Sequence, residues 1–170
     1  MKLYTTTLAP NPRRVRIFME EKGIEIPVQE ISIMEGEHKQ EEYKKISSSS
    51  KVPALELDDG TVITESMAIC KYLELLHPEP ALFGSSEIEQ AKIEMESRRM
   101  ELELMLPIAS AFRHIHPAAA ALENPQIEEY GKAQRENAIN RLNLMDRELE
   151  GHEFIAGDDY SVADLSLIHI

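Results

Sequence analysis

The sequence predicts an α/β domain over residues 1–78 and an all-helical domain over residues 86–164. Three observations lead there. Short apolar runs alternate with helical stretches as far as Leu76, in the order β-α-β-α-β-β-α. Residues 78–84 hold two prolines and a glycine, the composition of a linker. From Ser86 onward, apolar residues recur at three- and four-residue steps with charges between them.

In chain order, residues 2–5 read as a strand, closed by the turn Ala9-Pro10-Asn11-Pro12. A helix follows from about Pro12, a residue suited to a first helical turn. Val15, Ile17, Phe18 and Met19 give it an apolar side, and Gly23 stops it. Residues 27–33 alternate, with Val28, Ile31 and Ile33 apolar, and predict a second strand. Residues 38–46 are polar and predict a short helix; Ser47–Ser50 is a loop. Strands near 54–57 and 61–63 flank Asp59-Gly60, a strong hairpin signal. A helix from Glu65 to about Leu76 ends before Pro78. A parallel pair joined by a helix, then a hairpin and a covering helix, is the order of a thioredoxin-like domain.

In the second domain, Ile88, Ala91, Met95, Leu102, Met105, Ala109 and Phe112 fall on one stripe. They predict a helix of roughly 30 residues, about 45 Å long, kinked at Pro107. A further helix spans about 125–149, with Ala138, Leu142, Met145 and Leu149 as its apolar stripe and Gly151 as terminator. Ser161-Val162-Ala163-Asp164 has the spacing of a capping box and announces one more helix.

The chain has 170 residues and a net charge of −13. Nucleic acid and anionic membrane both require a basic footprint, so neither is the main partner. Residues 1–80 carry 10 basic and 14 acidic residues, a net of −4; residues 81–170 carry 8 and 17, a net of −9. Cys70 is the only cysteine, which excludes an intrachain disulfide and a CxxC pair. No apolar run approaches the ~20 residues of a membrane span, and the N-terminus lacks a signal-peptide pattern. The expected location is cytoplasmic. No spacing of ligands suggests a metal site; His114 and His116 are two apart and face different sides of a helix.

The segment from Ser50 to Ser66 is the richest in chemistry. Pro53 cannot donate to a sheet ladder, so the chain bends or lies at an edge there. Val52 then keeps backbone groups free to pair with an extended ligand. Glu65 and Ser66 stand at a predicted helix N-terminus, where unpaired N–H groups and the helix dipole favour a carboxylate.

Four motifs in order, K-V-P-A-L at 51–55, D-D-G-T at 58–61, E-S-M-A-I at 65–69 and S-V-A-D at 161–164, resemble the cytosolic glutathione S-transferase family. The opening A-P-N-P-R-R-V-R-I at 9–17 and G-E-H-K at 36–39 are most similar to its bacterial and fungal Gtt2-type members. The resemblance implies a thioredoxin-like domain followed by a helical one, glutathione as co-substrate without metal, a homodimer to which Arg98 and Arg99 could contribute, and detoxification by attack of the glutathione thiolate on a hydrophobic electrophile. It implies a cis Val52-Pro53 bond presenting Val52 to the cysteinyl part of glutathione. Glu65 and Ser66 would hold the γ-glutamyl end, and Lys39 and Lys51 the glycyl carboxylate. The Tyr, Ser or Cys that most relatives place near the end of the first strand to activate the sulfur is missing: Ala9, Pro10 and Asn11 stand there. Asn11 and His114 are the substitutes, the first through its amide, the second by holding a water. Alternatives are a glutathione-dependent disulfide or peroxide reductase, or a non-catalytic glutathione-binding scaffold. Tyr4 is expected to pack and Cys70 to be buried and inert.

Residues 165–170, L-S-L-I-H-I, match in full the translation of a transposon end used in sequencing libraries, CTGTCTCTTATACACATC. They are expected to be adapter read-through, leaving the helical domain truncated and the chain partly unfolded or prone to aggregate.

Overall fold

The computed structural model describes residues 1–7 and 9–167. It contains two units, Met1–Phe83 and a second that begins at Gly84. The first is built on a four-stranded sheet. Strand β1 (Lys2–Thr5) is parallel to β2 (Val28–Glu30) on one side and antiparallel to β3 (Ala54–Glu56) on the other. Strand β4 (Val62–Thr64) closes the order β2-β1-β3-β4.

Strand pleating sends successive side chains to opposite faces, and the helices follow from that. Leu3 and Leu55 are register partners and are fully buried. So are Val15 and Phe18 of helix α1 (Pro10–Glu21) and Ile69 and Leu73 of helix α3 (Ser66–Leu76), which packs on α1. Tyr4 and Ala54, one residue along each strand, join Ile31 and Tyr43 in a second cluster. Tyr43 comes from helix α2 (Glu41–Lys44) and meets Tyr4 edge-on at 6.0 Å. Tyr4 donates its hydroxyl to Glu56 at 2.7 Å, so it packs, as expected.

The second strand is shorter than the alternation 27–33 predicts. Only Val28–Glu30 pair, and all three residues are exposed at the sheet edge. Of the predicted apolar set only Ile31 is buried. The polar segment 38–46 divides into a 3-10 turn, Glu37–Lys39, and the one-turn α2. The Asp59-Gly60 hairpin forms as predicted, with Gly60 at φ 84° and the Asp59 carboxylate accepting from Thr61 N–H at 2.8 Å. Lys22, just past α1, has a wholly shielded side chain. Its ammonium donates to the carbonyls of His77 and Pro80 at 2.7 and 2.5 Å and pairs with Glu74 at 2.7 Å.

The second unit opens with a full capping box at Ser86: Ser86 and Glu89 satisfy each other's backbone N–H at the start of helix α4 (Glu87–Arg99). The helix continues through a π-helical stretch, Met100–Met105, into α5 (Leu106–Ile115). The π stretch ends two residues before Pro107, where a kink is expected. Proline lacks an N–H and its ring crowds the carbonyl four residues earlier, and the wider π turns lie on that side of it.

The face turned inward differs from the predicted stripe. Ile93, Ser97, Met100, Leu104 and Pro107 are buried, whereas Ile88, Met95, Leu102 and Phe112 are about half exposed. The buried face includes a serine and a proline, which a search for apolar residues alone does not reveal. Met100 and Leu104 pack on Ala138 and Met145 of helix α6 (Glu128–Glu148). On α6, Ala138 and Met145 are buried as predicted, but Leu142 is exposed and Arg141 is buried in its stead. Arg141 pairs with Glu148 at 3.0 Å and Glu103 at 3.4 Å. The predicted box at Ser161 caps α7 (Val162–Leu165), whose Asp164 also accepts from Ile155 N–H. Of the expected adapter-derived residues, Leu165–Leu167 are described, with Leu165 and Ser166 buried; the other three lie outside the described residues. Among the described residues no helix is long and apolar enough to cross a membrane.

Candidate functional site

Asn11, Ser49, Lys51, Val52, Pro53, Thr64, Glu65 and Ser66 line one cleft of about 60 Å³ in the first unit. It lies where the start of α1, the loop before β3, the end of β4 and the start of α3 converge. Six of the eight residues read from the sequence as site candidates meet there. Lys39 is exposed on the 3-10 turn and does not line the cleft. His114 belongs to α5 of the second unit.

Each wall has a local cause. Val52-Pro53 is cis, and among the described residues no hydrogen bond engages the backbone of Val52. The preceding loop is shaped by Ser50 at φ 55° and by Ser50 N–H donating to Ser47 carbonyl at 2.8 Å. Tyr43 hydroxyl donates to the Lys51 carbonyl at 2.8 Å and ties the loop to α2. Burial pushes the Tyr43 hydroxyl up to about 12, which keeps it a donor.

At the start of α3, the first intrahelical bond runs from Ile69 N–H to Glu65 carbonyl. The N–H groups of Ser66, Met67 and Ala68 precede it and receive no side-chain cap. Glu65 is held at φ 68°, ψ 120°, a conformation costly for a residue with a side chain, and its carboxylate stays exposed. These are the terms of an anion site: free donors, the positive end of a helix dipole, and Lys51 alongside. The exposed Glu65 carboxylate supplies an acceptor for an ammonium. A zwitterionic amino-acid group matches both.

The start of α1 is unusual in its donors. Pro10 and Pro12 have no N–H, and Arg13 N–H already returns to Ala9 carbonyl. Asn11 carries a backbone N–H between these two prolines, besides its side-chain amide, and it is exposed in the cleft.

Arg14 is the residue sequence reasoning missed. It is 1% exposed, and its guanidinium donates to Ser66 Oγ at 2.6 Å. The only available signal was an arginine one step from the apolar Val15 on α1. Cys70 is buried, and burial pushes its thiol up to about 12 against the pull of the Arg14 charge. The expected burial of this thiol is observed.

His114 is engaged within its own unit. Its Nδ1 accepts from Ile127 N–H at 3.0 Å at the entrance to α6, and its ring meets Tyr130 edge-on at 5.0 Å. Nε2 is the nitrogen left for other work, 4.0 Å from Glu123. His116 caps the turn that follows α5 by accepting from Ala118 N–H. Among the described residues no cluster of three His, Cys, Asp or Glu side chains could hold a metal.

The family description "Glutathione S-transferase, N-terminal domain" matches residues 9–76. Glutathione S-transferase 2 of Saccharomyces cerevisiae is 39% identical over 171 aligned positions, covering 99% of this chain and 73% of the relative. The crystal structure of Gtt2 from Saccharomyces cerevisiae superposes with a TM-score of 0.89 at 37% identity, covering 99% of this chain and 83% of that one. A glutathione S-transferase domain-containing protein from Marinobacter aquaeolei gives a TM-score of 0.89 at 37% identity, covering 98% and 82%. With the thioredoxin-like sheet, the helical unit and the cleft at the start of α3 in place, the chain belongs to the glutathione S-transferase family.

Proposed function

We propose that this chain binds glutathione in the Asn11–Ser66 cleft and transfers its thiolate to hydrophobic electrophiles. The observation that carries the reading is the convergence of Asn11, Lys51, Val52, Pro53, Glu65 and Ser66 on that cleft. Val52 pairs its free N–H and carbonyl with the cysteinyl backbone, in the manner of an added strand. Ser66 and the first N–H groups of α3 take the γ-glutamyl carboxylate, and the Glu65 carboxylate takes its ammonium. Lys51 holds the glycyl carboxylate, with Lys39 as a more distant second cation.

A thiol with an ordinary pKa near ~8.5 is mostly protonated at neutral pH, so its thiolate needs a donor. Asn11 supplies a side-chain amide. His114 Nε2 is the candidate holder of a water. A mixed disulfide on the protein finds no support, because the single thiol is buried and pushed up. Homodimerisation in the cytoplasm belongs to the same reading, and the exposed stripe Ile88, Met95, Leu102 and Phe112 supports the dimer.

Calorimetric titration with glutathione, followed by turnover of a chloronitroaromatic, tests the reading. Binding with turnover is expected. Binding with reduction of a mixed-disulfide substrate alone would transfer the function to the reductase class, and no binding would end it.

A further inference from the structure

Behind Ser66, which lines the cleft, stands a buried cation. Arg14 is among the largest fully buried side chains of the chain and sits in a protein of net charge −13. Burying a guanidinium is costly unless its hydrogen bonds are well used. One of them is the 2.6 Å bond to Ser66 Oγ, a residue that is itself only 5% exposed and lines the cleft.

Arginine has five N–H donors and no acceptor. In this bond Ser66 Oγ must therefore accept. Its own hydrogen is then directed away from Arg14, and the hydroxyl has one donor left to give. With one lone pair taken by Arg14, the hydroxyl keeps its proton free to give to an acceptor in the cleft. Through this bond the guanidinium charge is held at the first residue of α3, the end where the helix dipole is positive. Its field reaches further along the same helix, where it pulls against the effect of burial on Cys70. Charge, hydroxyl proton and uncapped helix N–H groups all favour an anion held at Ser66.

We propose that Arg14 is a positioning residue of the glutathione site: it fixes Ser66 as a donor to the γ-glutamyl carboxylate and so makes the site select for a peptide carrying that carboxylate. This rests on the glutathione reading of the cleft. Arg14 does not touch the peptide; it acts through Ser66.

The test compares glutathione with the analogue in which γ-aminobutyrate replaces the γ-glutamyl residue, removing only that carboxylate. Binding of both is measured on the 170-residue chain and on Arg14→Met, Ser66→Ala and the double variant. A wild-type chain that prefers glutathione is expected. Arg14→Met should weaken glutathione about tenfold, the scale of one charge-assisted hydrogen bond, and leave the analogue unchanged. In the Ser66→Ala background the same substitution should have little further effect. Equal losses for both ligands, or effects that multiply in the double variant, would overturn the proposal. If Arg14→Met does not fold, Arg14→Lys keeps the charge on a shorter, single-headed donor. A several-fold loss confined to glutathione is then expected, and unchanged selectivity overturns the idea. A wild-type chain that binds glutathione without preferring it over the analogue defeats this proposal alone; one that binds neither defeats the glutathione reading beneath it.

Discussion

At the residue scale, His114 has one ring nitrogen committed to structure: Nδ1 caps the start of α6, which leaves Nε2 for the role proposed above. The roles separate by substitution. His114→Asn places an amide oxygen near the position of Nδ1 and keeps the cap, whereas His114→Ala loses both. The alanine variant should lose about 1 kcal/mol in urea unfolding, and the asparagine variant little. If Nε2 assists the thiolate, both should lower turnover more than glutathione affinity; full turnover in the asparagine variant would confine His114 to the cap. Cys70 and Tyr43 give a second residue-scale expectation. Both are buried and pushed up to about 12. A proton kept longer in the folded than in the unfolded state makes stability fall as pH rises. The loss begins near the unfolded thiol and phenol values of ~8.5 and ~10 and runs toward about 12, at no more than ~1.4 kcal/mol per pH unit per group. Unfolding midpoints measured between neutral pH and strong alkali should drop in that window, and Cys70→Ala should delay the drop. A flat profile would contradict the burial of both groups.

At the scale of elements, α5 and α6 pack tightly against each other at Gly131. A Cβ there would meet Ile115 Cγ1 at 2.6 Å and His114 Cβ at 3.0 Å. Gly131→Ala should therefore cost about 1–3 kcal/mol by overpacking, despite the better helix propensity of alanine. A stabilised variant in thermal unfolding would mean the helices part easily. This contact had no sequence signature beyond a glycine inside a helical pattern. The first unit was far more legible, because strand alternation, the Asp59-Gly60 turn and the proline at 53 are local signals. Its cleft was legible for the same reason: Val52, Pro53, Glu65 and Ser66 belong to one short stretch, and Asn11 to another. Arg14 was not, since only the fold brings α1 under the start of α3. In the helical unit the period was right and the phase was wrong. The large apolar residues of α4 and α5 marked the outer face, about half a turn from the inner row of Ile93, Ser97, Met100, Leu104 and Pro107. Likewise Arg141 hid inside α6 because Glu103 and Glu148 accompany it.

For the whole molecule, the charge of −13 sets the response to salt. Exposed pairs such as Arg98–Glu94 and Lys132–Glu128 lose strength on screening, but each is worth little. Repulsion among the surplus carboxylates is relieved at the same time, and it is the larger effect. Raising ionic strength from low to physiological values should raise the melting temperature by about 2–4 °C, or about 1 kcal/mol. A fall would mean that the ion pairs outweigh the repulsion.

Lys22 adds a consequence of a different kind. Its amine is enclosed by Glu74 and by the carbonyls of His77 and Pro80, with no surface left to solvent. An acylating reagent that modifies the outer lysines at once cannot reach it while the end of α3 and residues 77–80 keep their places. The rate at which mass is added at this one position then becomes a clock for the opening of that corner, readable while the rest of the molecule stays folded.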